Sequence, residues 1–395
     1  MSRILLLAPL ILSCANPGSP PSPEGAPGIA VYDGDVRIDP VSGRVEARWR
    51  ITVARAGSDT LRLRLNRGFT VAGHATTVDD TEQLITVRSP VDIAYSGTLI
   101  APGDSINRVS ADWTELGLDS FWQPVIDGVT HQIVGRVRLH LPAGYQVAAS
   151  GSVRREQGGA FTINQRVPLI DFPFSAAPAL ASETLGGTRV YFTGARPGIA
   201  GPVLRTSEDC SSYLDSLYGG VERLPPRTMV LAPRTGPGYA RKNYIVITSI
   251  DTTPVGLARF VCHELAHFWS IRANSRGPDN WLNEGFAEFI SAQYVRARIG
   301  AEAYDTIVTQ WRTVGERQGA VWTPESTRRP NAMISYRKAP YLLTQLEARI
   351  GSAPMQRVLQ RYMTEPIRTT PELIAMIGAV TDSATADWFR DLLSR

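Results

Sequence analysis

The chain has 395 residues, 43% of them hydrophobic and 20% charged, with a formal net charge of +4. These values suit a soluble globular protein large enough for two domains with their own cores, and so mild a charge excludes a nucleic-acid-binding stripe. Three cysteines exclude a scaffold built from disulfides.

Residues 1–14 read as an export signal, with Arg3 as its charged start and residues 4–12 as its apolar core. That core is far shorter than the roughly twenty residues of a membrane-spanning helix. Ile11-Leu12-Ser13-Cys14 resembles a bacterial lipobox, which makes Cys14 the candidate for lipidation, while Ser13-Cys14-Ala15 also fits an ordinary cleavage site. The expected location is the bacterial cell envelope, with membrane contact through the N-terminal lipid, or else plain secretion. Residues 15–28 are dense in Pro, Gly and Ser, a composition that forms no core and behaves as a tether.

From 29 to 185 the pattern is strand after strand, an all-β domain. Val45, Ala47, Trp49, Ile51 and Val53 alternate with polar residues, and the turn residues Gly57-Ser58-Asp59 follow. Leu61, Leu63 and Leu65 then alternate with Arg62 and Arg64, which places both arginines on a wet face. Further strands are expected at 133–141 and 161–170. His74, His131 and His140 read as surface or packing residues.

After Gly186 the texture changes. Short strands are expected at 189–192, 229–232 and 244–250, with a helix at 203–218. A helix starting near Thr253-Pro254 follows, then helices at 279–298, 302–317, 340–350, 353–363, 371–380 and 383–394. Residues 186–395 thus read as a second domain with a mixed sheet followed by helices, making the whole chain α+β. Trp269 and Trp281 read as core aromatics. Cys210 and Cys262 leave both a disulfide and two buried thiols open, because spacing does not fix connectivity.

The chemistry concentrates in His263-Glu264-Leu265-Ala266-His267 and Asn283-Glu284-Gly285-Phe286-Ala287. Helical residues four apart share a face, so His263 and His267 can present two imidazole nitrogens to one metal ion, with Glu264 reaching the same cavity. Neighbouring helical residues point about 100° apart, which turns Cys262 away from that ion. Glu284 on a second helix completes a set of two His and one Glu, the ligands of a catalytic zinc with its fourth position left to water. One Zn2+ per chain is expected, although similar ligands take other divalent ions. Glu288, one turn beyond Glu284, is either a carboxylate that orients a ligand His or a solvated residue.

HELAHFW followed by NWLNEGFAEF resembles the zinc aminopeptidases of the membrane alanyl aminopeptidase and leukotriene-A4 hydrolase group, in the gluzincin clan. The loop through Ser275-Arg276-Gly277-Pro278 is two residues shorter than that family's usual spacing. The resemblance implies a saddle-like N-terminal β domain, matched loosely by FWQPV, PAGYQVAASGSV and PLIDFPFSAAP, and a thermolysin-like catalytic domain. It implies a zinc metallopeptidase acting on a peptide or protein, with Glu264 as general base. Ser335-Tyr336-Arg337-Lys338-Ala339 is similar to the family's Tyr-x-Lys-Gly segment, which makes Tyr336 the candidate donor to the oxyanion.

Where the family keeps Gly-Ala-Met-Glu-Asn, whose Glu holds the substrate's free amine, this chain has Tyr239-Ala240-Arg241-Lys242-Asn243. The usual exopeptidase anchor is absent from the motif, and Arg241, Lys242 and Asn243 become substrate-binding candidates in a cleft suited to longer or acidic peptides. Few residues follow Tyr336, so the family's helical C-terminal domain is not expected. Two alternatives stand beside the peptidase: a non-catalytic peptide-binding or scaffold protein on the same fold, and a zinc hydrolase of a small non-peptide substrate.

Overall fold

The computed structural model describes residues 28–53, 60–78, 82–101, 103, 106–127, 131–194, 198–218, 223–236, 238–248, 253–275 and 277–395. The expected leader, Cys14, the tether up to residue 27 and the turn Gly57-Ser58-Asp59 lie outside them. No helix among the described residues is long and apolar enough to cross a membrane.

The N-terminal half is built on a seven-stranded sheet. Its order is Ser152–Arg155, Phe161–Leu169, His131–His140, Gly28–Asp39, Arg44–Val53, Val91–Thr98 and Phe69–Val71. The two central strands, Gly28–Asp39 and His131–His140, run parallel, and their other neighbours are antiparallel. Residues alternate strictly between buried and exposed along Arg44–Val53, the period of a sheet with one wet face. Two four-stranded sheets cover the dry face, one containing Thr60–Asn66 and Glu82–Arg88, the other Thr114–Leu116 and Phe174–Ala177. Between the layers Tyr32, Trp49, Trp122, Phe172 and Phe174 are buried in mutual ring contact.

The second half begins with a five-stranded sheet in the order Ala181–Leu185, Thr188–Phe192, Arg227–Leu231, Tyr244–Ile247 and Tyr239–Arg241. Its first two strands form one hairpin, so this sheet starts ahead of the boundary expected at 185. The helices follow as α1 (Ala200–Tyr218), α2 (Pro254–Ser270), α3 (Asn280–Arg298), α4 (Ala301–Gly315), α5 (Ala339–Ile350), α6 (Ser352–Thr364), α7 (Thr370–Val380) and α8 (Ser383–Leu393). Each expected helix is present, with ends displaced by a few residues. Not foreseen is a π-helical turn, Ile334–Lys338, leading into α5.

The halves share a seam. Trp113, Ala148, Ala177 and Leu180 from the first pack with Val230, Ala232, Tyr239, Tyr244 and Val246 from the second. Two ion pairs cross it. Arg234 grips Glu115 through two hydrogen bonds of 2.9 and 2.7 Å, and Arg241 Nε lies 3.1 Å from Asp171 Oδ1. Both carboxylates are fully buried.

Cys210 on α1 and Cys262 on α2 form a disulfide with Cα atoms 5.8 Å apart, which settles the question that spacing left open. It ties α1 to the residue immediately before His263. Closing a loop across a sequence separation of 52 restricts the unfolded chain by about 4 kcal/mol in the chain-entropy model. Cys210→Ala with Cys262→Ala should therefore lower unfolding stability by about 2–5 kcal/mol in denaturant titrations. An unchanged midpoint would show that the link adds nothing.

Candidate metal centre

Thr253 caps α2, its hydroxyl accepting from Gly256 N at 3.1 Å, and Pro254 fixes the first turn. The helix then runs into the core, where His263, Glu264 and His267 are all buried. α3 packs directly on it, and every residue from Asn280 to Val295 is buried. Asn283 sets the join: its Oδ1 accepts from Arg272 N and Ala273 N, and its Nδ2 donates to Ala273 O and Asn280 Oδ1. The shortened loop is thus fastened to α3 one residue before Glu284.

Three donor atoms converge. His263 Nε2 and His267 Nε2 are 3.1 Å apart, and Glu284 Oε2 is 3.4 Å from each. Among the described residues this is the one group of His, Cys, Asp and Glu side chains so arranged. Glu284 Oε2 is buried without a hydrogen-bond partner. Two imidazole nitrogens and one such oxygen fit the donor set of zinc, whose cation would complete the carboxylate. Burial pushes the Glu284 carboxyl up, but the two imidazoles outweigh it and hold it well below the usual range.

Behind His263 stands Glu288, with Oε1 3.7 Å from Nδ1. It is buried, not solvated, and is flanked by Arg259 at 2.8 Å and Arg337 at 3.8 Å. Burial raises its carboxyl and the neighbouring Arg259, His263 and Arg337 lower it, with a net fall. His267 Nδ1 lies 3.3 Å from Ser270 Oγ. Each imidazole therefore has a polar group behind the nitrogen that faces away from Glu284.

Glu264 is buried close enough to these groups to feel their charges, and burial pushes its carboxyl up to about 7; His267 and Arg241 oppose the rise, while Glu284 and Glu288 add to it. Tyr336 sits across the centre with its ring nearly parallel to that of His263, centroids 5.6 Å apart and planes at 20°. Burial, then the neighbouring Glu284 carboxylate, raise the phenol well above its ordinary value, so it stays protonated at neutral pH.

The structure thus brings His263, His267, Glu284, Glu264, Glu288 and Tyr336 together. Arg241 is near enough to act on Glu264 through its charge, but its guanidinium is engaged by Asp171 and by the carbonyl of Ala240. It is therefore not a free lining cation. Lys242 occupies a tight turn with φ of 52° between the last two strands of the sheet, and Asn243 donates to Pro226 O at 3.2 Å. The roles of Arg259, Arg337, Asn283 and Asp171 do not follow from the motifs, although Asn283 opens one and Arg337 and Asp171 lie inside quoted segments. For Arg259 alone, helical spacing of four from His263 places it on the same face.

No family model matches the sequence. Solved structures do match. An M1 zinc metallopeptidase from Deinococcus radiodurans superposes with a TM-score of 0.69 at 18% identity, over 93% of this chain and 94% of that one. A two-domain M1 zinc metallopeptidase mutant bound to L-tryptophan gives 0.72 at 17% identity, over the same shares of 93% and 94%. Leukotriene A4 hydrolase from Saccharomyces cerevisiae gives 0.69 at 16%, over 92% of this chain and 67% of that one. The chain therefore has the fold shared by M1 zinc metallopeptidases and leukotriene A4 hydrolase, an N-terminal β domain joined to a catalytic-type domain of mixed sheet and helices.

Proposed function

We propose that this chain is a zinc-dependent peptidase. The observation that carries the reading is the convergence of His263, His267 and Glu284 on one point, with Tyr336 stacked beside His263 and Glu264 buried nearby. His263, His267 and Glu284 would hold a zinc ion, which would supply Lewis acidity and acidify a water to near neutral pH. Glu264, buried beside it, takes the proton of the attacking water and passes it to the leaving amine. Tyr336 donates to the oxyanion as it forms, in an enclosure that strengthens the bond by excluding water. Glu288 holds His263 in orientation, and Arg259 and Arg337 hold Glu288.

The substrate's amino end is met differently from the family that the motifs resemble. Arg241 and Lys242 put two cations where that family places a carboxylate, and Asp171 offsets only the first. A free ammonium is repelled at short range by Lys242, while a blocked or internal peptide segment is not. The enzyme cleaves peptides without requiring a free amino terminus.

Metal analysis should find one zinc per chain in the purified protein and a marked loss in Glu284→Ala; full retention in that variant removes Glu284 from the ligand set. Glu264→Gln should keep the metal and lose nearly all turnover. Tyr336→Phe should lower kcat by about a hundredfold with little change in KM, since its bond belongs to the transition state. Paired peptides with free and acetylated amino termini, followed by mass spectrometry, should be cut at comparable rates. Release of single N-terminal residues abolished by acetylation would restore the ordinary aminopeptidase reading.

A further inference from the structure

The turn that carries Tyr336 is gripped from several sides. Residues Ile334–Lys338 are π-helical, a geometry used in single turns and often at functional sites. On one side lies Gly285, the residue after Glu284. A Cβ there would stand 2.9 Å from Ala339 Cβ and 3.6 Å from Ser335 O, so α3 and the turn meet with no side chain between them. On the other side lies Gly315, the last residue of α4. A Cβ there would stand 3.0 Å from Lys338 Cα and 3.3 Å from Lys338 Cβ.

Lys338 completes the grip. It is 7% exposed, and its Nζ donates to the carbonyl oxygens of Gln318 at 3.0 Å and Gly319 at 2.8 Å and to a main-chain oxygen of the last residue, Arg395, at 2.6 Å. An ammonium has three donors, and all three are used on backbone. None is left for substrate or metal. The segment supplying those carbonyls is itself fixed, because Val321 N and Trp322 N both donate to Leu393 O. Toward the metal centre, Arg337 donates to Tyr336 O at 2.7 Å and stands 3.8 Å from Glu288 Oε1.

We propose that Lys338 and Gly315 are positioning residues that act on the reaction only through Tyr336, by holding its turn against α3 and the metal centre. The proposal rests on the reading of Tyr336 as the oxyanion donor. Lys338 fastens the turn outward to the 318–319 backbone, and Gly315 leaves the space in which that fastening is made. Displacing the phenol by a fraction of an ångström weakens a bond that matters only in the transition state, so the loss falls on kcat.

The test is a double-mutant cycle on an internally quenched peptide, with zinc content and near-UV circular dichroism measured on each variant. Lys338→Met should lower kcat about tenfold with KM within about twofold and zinc retained. In the Tyr336→Phe background the same change should lower kcat by less than about twofold, because the group it positions is already gone. Gly315→Ala should show the same pattern, and it carries the test if Lys338→Met does not fold. Equal losses of kcat in the two backgrounds, or unchanged kcat in both single variants, would overturn the positioning role. Wild-type kcat in Tyr336→Phe alone would instead overturn the reading of Tyr336 on which the proposal rests.

Discussion

The C-terminal half depends on one constraint: a carboxylate oxygen and two imidazole nitrogens held together inside a buried core. Glu284 Oε2 has no hydrogen bond, and burying an uncompensated charge costs several kcal/mol, so the surroundings must compensate it. They do. The imidazoles stand against Glu284, Glu288 stands behind His263, and Arg259 and Arg337 stand against Glu288. Glu284 is thus met by ring nitrogens and Glu288 by guanidiniums, and only the guanidiniums are partly exposed. The two helices that carry it cannot shift independently, since Asn283 binds the loop between them and the disulfide fixes α2 to α1.

Much of this was legible where a single period decides the outcome. Arg44–Val53 reads as a strand because one face is wet and the other dry, and the structure repeats that alternation residue by residue. His263 and His267 read as a pair because helical spacing of four fixes their face before any packing is known. Tyr336 was reached through a resemblance and not through a period. Its π-helical turn is a compromise imposed by two glycines on other helices and by carbonyls at Gln318 and Gly319, none of which marks the segment itself.

The partner of Arg241 was equally hidden. Asp171 lies 70 positions away in a loop of the β half, and nothing local in either residue announces the other. Charge at Arg241 therefore suggested a free cation, whereas tertiary structure had already matched it. The very short strands, such as Thr77–Val78 and Val125–Ile126, escaped for a related reason: they exist because a longer neighbour pairs with them.

The seam between the halves has a thermodynamic consequence. Glu115 and Asp171 belong to the β half, their arginines to the other, and both carboxylates have no exposed surface. Parting the halves would exchange each pair for hydration of its two ions. Tyr244 and Trp113 would lose their apolar cover in the same event. Opening at this seam would disturb both halves at once, so the two domains are coupled through it.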